Sequence, residues 1–546
     1  MKRGMLRKLL CTCVVTAAAF AATTISASAC TTIYVGGDLN EEGTPFVART
    51  EDYGSDYNKL WFISESGNWK QGDHYVGCPA YGPFEWDFTH DSYRFTYFTN
   101  DIYYDGTCPE CGKKADHYSY TEFGTNEKGV SVSATETLYG NEKVTEADPY
   151  RDADWSKENG NARIGIEETD IPTIILAEAS SAREGVELLL DIYENYGCVY
   201  ASGVFICDKD EVWYIENCSG TQYVAIKLND NMIFLEPNMA VIGRIDLDDE
   251  NVIASKDLIA VAKKAGTFVG DEEKNIIDFR ASYARISEKM DQRMIDGLNY
   301  LNAAYKYDSD ALVADNTKFT ISNLDASDKL VALYTNIKAD RKLDKDDIFG
   351  YYKLSSIGKA SNQEIEIFQL FKNRPVETAT VGWVGVGNMS YNVFVPYYPM
   401  LIDSMYSGYQ VSTASAKFTT EKPDTFCTYG TSWAQDAEGN WQRVSSFKAY
   451  PSNWKDSYYF TFEGLGGYIA NADKITGKPL KAEAKAVFDM NMGPGTARDF
   501  YEEGVRLSFE QWGVTGVAEY LAGTTLPQTY IDPNGGANSD KNNSLS

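Results

Sequence analysis

Histidine is scarce in this chain: His74, His90 and His117 are the only three among 546 residues, and all fall within one short stretch. Chemistry elsewhere in the protein must therefore find another base. Basic residues are also few, with 50 Lys and Arg against 79 Asp and Glu and a formal net charge of −29. No basic tract is longer than a few residues, which argues against nucleic acid and anionic membrane as partners. Beyond the N-terminus no apolar run reaches the length of a membrane-spanning helix. Internal repeats are absent as well. What is present is length, ample for a large core.

Residues 1–29 read as a signal peptide. Lys2, Arg3, Arg7 and Lys8 form a basic start, Leu9 to Ala22 is apolar, and Ala27-Ser28-Ala29 meets the small-residue rule for cleavage before Cys30. The expected location is secreted, in the medium or the cell envelope, with no membrane attachment after cleavage. A cysteine just after a signal segment also marks a lipoprotein, but that signal wants a large aliphatic residue three places earlier, where Ala27 stands. Eight cysteines survive removal of the leader: Cys30, Cys78, Cys108, Cys111, Cys198, Cys207, Cys218 and Cys427. If Cys30 stays free, an odd number is left to pair.

Short β-branched runs at Thr31–Val35 and Pro45–Arg49 flank a polar, glycine-bearing turn and predict a hairpin at the start of the mature chain. Gly129 to Thr135 predicts another strand. In 171–197, Ile175, Ala179, Ala182, Val186, Leu189 and Tyr193 recur at spacings of four and three, which predicts one amphipathic helix. Asp170 and Pro172 mark its start and Gly197 its end. Four short strands follow, at 203–207, 211–215, 222–228 and 231–235. Residues 255–375 read as mainly helical, 380–398 as extended, and 480–522 as helical. Strands, a helix, then strands imply an α/β layered fold with mainly antiparallel sheets. The domain expected is 30–525, with an insertion at 73–120 and a flexible tail at 526–546.

Cysteine at a new N-terminus carries its own base. A free α-amine has a pKa of about 7.7–8.0 and can take the thiol proton, and the thiolate then attacks a carbonyl carbon to give an acyl-enzyme. The hairpin returns Arg49-Thr50-Glu51-Asp52 beside Cys30. An aspartate there can hold the protonated amine and an arginine can polarise the thiol; a surface salt bridge between Arg49 and Asp52 is the plain alternative. No cofactor and no metal are needed.

Cys30-Thr-Thr-Ile-Tyr-Val-Gly, followed by Ala48-Arg49-Thr50-Glu51-Asp52, resembles the opening of the cysteine dipeptidases of the N-terminal nucleophile hydrolase superfamily, relatives of choloylglycine hydrolase and penicillin V acylase. Asn126-Glu127-Lys128-Gly129-Val130 is similar to that family's strand entry. Ile171-Pro172 through Tyr196-Gly197 is similar to its central helix. Trp213 to Glu216, Glu236-Pro237-Asn238 and Tyr391 to Tyr398 are similar to its later strands. The likeness runs from Cys30 to about residue 520.

The resemblance implies a four-layer αββα sandwich with C-terminal helical extensions. It implies Cys30 as nucleophile, Arg49 and Asp52 beside it, and Asn238 as the oxyanion-supporting amide. Glu136 falls where the acylases carry a second asparagine. It is read as a partner for the free α-amine of a dipeptide, with an ordinary strand-edge carboxylate as the competing reading. Arg285 and Arg293 both fit a further downstream arginine, and Arg285 is taken as substrate-binding. Dipeptides or small peptides are the implied substrates, and a homo-oligomer the implied assembly. An acylase of the bile-salt or penicillin type, and a non-enzymatic lipoprotein, are the alternatives.

Two other constellations stand out. Cys108-Pro-Glu-Cys111 has the spacing of a zinc knuckle, with Cys78, His74 or His117 as further ligands, and a disulfide is the preferred reading. Cys207 and Cys218 flank a hairpin, which suggests either a cross-strand disulfide or two buried thiols. Glu216 and Asn217 at a strand end read as ordinary turn residues.

Overall fold

The computed structural model describes residues 30–401 except 53–58, 78–83, 101–120, 313–317, 326, 360–361 and 387–393, together with short strand pairs within 429–447 and 531–537. Residues 1–29, the Cys108/Cys111 pair, Cys78, His117, Cys427, the stretch 480–522 expected to be helical and most of 526–546 lie outside the described residues. The protein is mixed α/β. Every ladder between its described strands is antiparallel.

Two sheets dominate. The first has six strands, in the order Ile233–Glu236, Thr31–Val35, Phe46–Asp52, Asn362–Leu370, Thr380–Val386, Val395–Tyr397. The second has eight: Val252–Ala254, Tyr223–Lys227, Val212–Asn217, Ser202–Cys207, Ser131–Thr137, Phe123–Asn126, Phe95–Asn100, Lys59–Ser64. The last of the four expected strands thus leaves its neighbours and pairs with the N-terminal strand.

Side-chain alternation shows what each face meets. On the six-stranded sheet Tyr34, Val47 and Phe234 join one buried cluster, while Ile33, Val35, Phe46, Ala48, Ile233 and Leu235 join another. On the eight-stranded sheet Phe205 and Tyr214 belong to the first cluster, and Val204, Ile206, Trp213 and Ile215 to a third. The shared cluster holds the sheets together. Phe205 stacks on Phe234 across it at 5.7 Å, and Phe123 meets Phe368 edge-on at 6.3 Å. Each fully buried Val, Phe or Ile there contributes about 1.5–3 kcal/mol. The other face of the six-stranded sheet packs with the helices Gln292–Leu301 and Lys345–Tyr351. The other face of the eight-stranded sheet packs with Ile171–Glu178 and Ala182–Asn195.

The expected N-terminal hairpin is present, with Thr32 opposite Arg49 and Val35 opposite Phe46. Buried Asn40 fixes its connection by donating from Nδ2 to the carbonyls of Gly36 and Thr44, at 3.0 and 2.7 Å.

Three expectations are corrected, and one open alternative is resolved. The helix expected over 171–197 is two, Ile171–Glu178 and Ala182–Asn195. Ser181 caps the second by accepting from the Glu184 N–H. Residues 255–375 are not mainly helical: helices at 258–265, 279–283, 292–301 and 345–351 alternate with strands, including the long Asn362–Leu370. Of the two readings left open for Cys207 and Cys218, the structure has the buried free thiols. Cys207 lies opposite Val212, whereas Cys218 follows Asn217 at the far end of the same ladder. Glu216 and Asn217 are not turn residues either, but the last two residues of a buried strand.

Candidate active site

Cys30 immediately precedes the first strand and is buried, at 5 % exposure. Alternation places Arg49 and Glu51 on the same side of their strand as Val47, facing the second sheet. The hairpin therefore delivers the Arg49 guanidinium to the thiol, with Nη2 3.5 Å from Cys30 Sγ. Glu51 accepts from the same Nη2, and its Oε2 lies 3.8 Å from the sulfur. On the next strand Glu366 lies directly opposite Arg49, and Arg49 Nη1 donates to Glu366 Oε1 at 3.3 Å. Ser133 reaches across from the eight-stranded sheet and donates to that same oxygen at 2.5 Å. Burial drives the Glu366 carboxyl well above the usual carboxylate range. Arg49 pulls the other way and Glu364 adds to the rise.

Asp52 faces the opposite side of its strand. Asn362 Nδ2 donates to its Oδ1, and Lys359 Nζ pairs with Oδ2 at 2.9 Å. Burial raises its pKa, while Lys359 opposes the shift, followed by Asn362 and Arg293. Asn238 follows the Ile233–Glu236 strand with φ of +56°, a left-handed conformation that asparagine tolerates better than most residues. Its Nδ2 donates to the carbonyl of Thr137 at 3.2 Å, and its Oδ1 accepts from Arg293 Nη1 at 2.9 Å.

Of the two candidate arginines, Arg293 is the one that reaches Cys30. Its Nη1 donates to the Cys30 carbonyl and to Thr31 Oγ1 (3.2 Å), and its Nη2 donates to the Pro237 carbonyl at 2.9 Å. Asp291 holds the guanidinium from behind, at 2.9 and 3.0 Å. Arg285 instead lies over the ring of Tyr139, 4.2 Å from its centroid. Glu136 lies in the Ser131–Thr137 strand opposite Gly203, just past a register shift.

The structure thus brings Cys30, Arg49, Asn238 and Arg293 into one connected network, with Asp52 held by Lys359 and Asn362 and within electrostatic reach of Arg293. Sequence reasoning missed Glu51 as a direct contact, and Ser133, Lys359, Asn362 and Glu366 altogether. A strand in which Glu364 and Glu366 alternate with Ile365 and Ile367 carries a period-two signal that could have flagged Glu366. Among the described residues no cluster of potential ligands is fit to hold a metal ion.

The profile of peptidase family C69 matches residues 29–443. The chain is 29 % identical over 403 residues to a probable dipeptidase B of Streptococcus pyogenes serotype M1, covering 70 % of this chain and 74 % of the relative. It is 27 % identical over 380 residues to a probable dipeptidase of Salmonella dublin, covering 68 % and 81 %. A probable dipeptidase B of Lactococcus lactis matches at 27 % over 392 residues, covering 69 % and 75 %. A second profile, that of the Susd and RagB outer membrane lipoproteins, matches residues 478–545. The long match sets the chain among the peptide hydrolases. It belongs to peptidase family C69.

Proposed function

We propose that this protein is a secreted dipeptidase of the N-terminal nucleophile type, with Cys30 as nucleophile once residues 1–29 are removed. The observation that carries the reading is the buried contact of the Arg49 guanidinium with the Cys30 thiol at the head of the first strand. The relatives' names supply the substrate class. Two sheets packed through a shared core, with helices against their other faces, support the four-layer αββα arrangement of that class.

The steps follow from the groups present. The freed α-amine of Cys30 takes the thiol proton, and Arg49 stabilises the thiolate. Asp52 lies on the adjacent strand as the carboxylate that steadies the resulting ammonium. The sulfur attacks the peptide carbonyl carbon, and the Asn238 amide supports the oxygen that becomes negative, an effect worth roughly 3–4 kcal/mol where such donors have been removed. The C–N bond then breaks, and the ammonium returns its proton to the departing amino acid. Water hydrolyses the thioester, with the amine again as base. Glu136 is proposed to receive the substrate's α-ammonium.

A second reading draws on the C-terminal match to outer membrane lipoproteins. In it Cys30 is acylated on sulfur and nitrogen and does no chemistry. Mass spectrometry of the mature N-terminus separates the two, since acyl chains on Cys30 remove both nucleophile and base. The test of function is the chain 30–546 with a free Cys30, assayed on dipeptides and on N-acyl amino acids. Dipeptide hydrolysis that disappears in Cys30→Ala is the expected result. Cleavage of N-acyl substrates alone would give the site to an acylase.

A further inference from the structure

We propose that Glu366 is a positioning residue for the nucleophile: its Oε1, fixed by Ser133, holds the Arg49 guanidinium at the angle that keeps Nη2 against the Cys30 thiol. The inference rests on Cys30 being the nucleophile.

Arg49 carries its contacts on different nitrogens. Nη2 is shared between Glu51 and Cys30 Sγ, and Nη1 is given to Glu366. Glu51 stands two residues along the same strand and holds only the nitrogen that faces the sulfur. One anchor on a planar fork leaves it free to pivot about that nitrogen, whereas a second on the other nitrogen fixes the plane. Glu366 is that second anchor, 317 positions away in sequence and directly across the ladder.

Glu366 is itself immobilised. Its side chain is 1 % exposed, and Ser133 ties it to the opposite sheet. Both donors converge on Oε1, and among the described residues Oε2 receives no hydrogen bond. An acceptor oxygen is therefore the feature the geometry uses. Burial, which favours the protonated acid, is compatible with this: a neutral carboxyl with its proton on Oε2 still accepts from both donors. A neutral group here also leaves more of the guanidinium's charge to the thiolate than a second full anion beside Glu51 would.

The alternative is a buried pair that only joins strands and sheets. The chain 30–546 is compared with Glu366→Gln, Glu366→Leu and Ser133→Ala. The rate of Cys30 alkylation by iodoacetamide is followed by peptide mass spectrometry across pH, and kcat and KM are measured on a dipeptide. Glu366→Gln keeps an acceptor oxygen and is expected within about threefold of wild type in both readouts. Glu366→Leu should shift the Cys30 alkylation profile to higher pH and lower kcat about tenfold or more, with KM within about twofold. Ser133→Ala should shift the profile the same way by less.

An alkylation profile in Glu366→Leu that superimposes on wild type overturns the proposal, as does a Gln variant as impaired as the Leu variant. If Glu366→Leu does not fold, the Ser133→Ala profile decides, and an unshifted one overturns it. Alkylation needs no turnover, so it reads Glu366 separately from the dipeptidase reading, which fails instead if Cys30→Ala keeps dipeptide hydrolysis.

Discussion

Arg49 and Cys30 meet across the first hairpin, Nη2 to Sγ at 3.5 Å, although neither lies at the surface. A guanidinium can serve sulfur, Glu51 and Glu366 together because its donors leave in fixed, divergent directions. An ammonium in the same place is a single point and cannot span them. Arg49→Lys is therefore expected to lower kcat about 10²-fold, comparable with the loss of one transition-state donor. The Cys30 alkylation profile should move to higher pH in parallel. A lysine variant with wild-type kcat would show that only positive charge is needed there.

Arg293 and Arg285 make a second, paired prediction. Arg293 ties the carbonyl of Cys30, the side chain of Asn238 and the carbonyl of Pro237 into one unit. Removing it takes a donor from each of them, and a buried acceptor that loses its donor costs about 1–3 kcal/mol. Arg293→Ala should lower kcat about 10²-fold and also lower the melting temperature. Arg285→Ala loses a cation–π contact with Tyr139 on the exposed side of the chain and should change kcat less than about threefold. Steady-state kinetics on one dipeptide with both variants decides which arginine serves the site.

What was legible in the sequence was local. The hairpin that presents Arg49 follows from two β-branched runs around a polar turn, and the strands between 202 and 227 follow from short runs separated by tight polar turns. The face of the long helical stretch was also correct, since Ala182, Val186, Leu189 and Tyr193 are all buried. Its break was missed although Ser181 and Glu184 carry the start signature of a second helix, while the amide that binds the end of the first, Asn126, lies 53 residues from the Ala179 carbonyl. The Asn362–Leu370 strand was hidden for a related reason. Its glutamates read as solvent-facing charge, yet they point between the sheets, where Arg49 and Ser133 receive one of them. Distance in sequence likewise hid Lys359 and Asn362, which matter only because the fold sets them on Asp52.

Glu216 sets a pH dependence of stability. It is fully buried and accepts from the N–H groups of Val241 and Ile242, at 2.6 and 3.2 Å. Burial raises it to about 7, against the lowering effect of those two hydrogen bonds. A raised carboxyl favours the folded state while both states keep the proton, and that advantage fades as pH climbs from the unfolded value of about 4.3 to the folded one. The melting temperature should therefore fall between about pH 5 and pH 8, by an amount corresponding to about 3 kcal/mol from this residue. The excess of acidic residues pushes in the same direction, since repulsion among them also grows with pH. Glu216→Gln isolates the single group: it should be less stable at pH 5 yet show a shallower slope. An unchanged slope in calorimetry would assign the effect to other raised carboxyls, Asp52 and Glu366 among them, and to the surface charges.

Asn126 gives the last prediction, and it explains why the Asn-Glu-x-Gly-Val stretch takes that form. Its Oδ1 accepts from the N–H groups of Lys128 and Val130, each at 3.0 Å, and so closes the turn in which Gly129 adopts φ of +87°. Its Nδ2 donates to the carbonyls of Leu176 and Ala179, at 3.0 and 2.7 Å, where the first helix of the pair ends. One buried amide thus joins a sheet turn to a helix terminus and satisfies four backbone groups, three of them on the buried residues Val130, Leu176 and Ala179. Asn126→Ala should destabilise the protein by about 3 kcal/mol or more, since each buried group left unpaired costs about 1–3 kcal/mol. Asn126→Asp keeps the acceptor oxygen and at low pH has one O–H to replace one of the two donated bonds, so it should fall between alanine and wild type there and drop toward alanine once its carboxylate ionises against the two helix carbonyls. Thermal unfolding of the three chains at pH 4 and pH 8 measures this. An aspartate variant as stable as wild type at pH 8 would show that the helix end draws its order from packing rather than from this side chain.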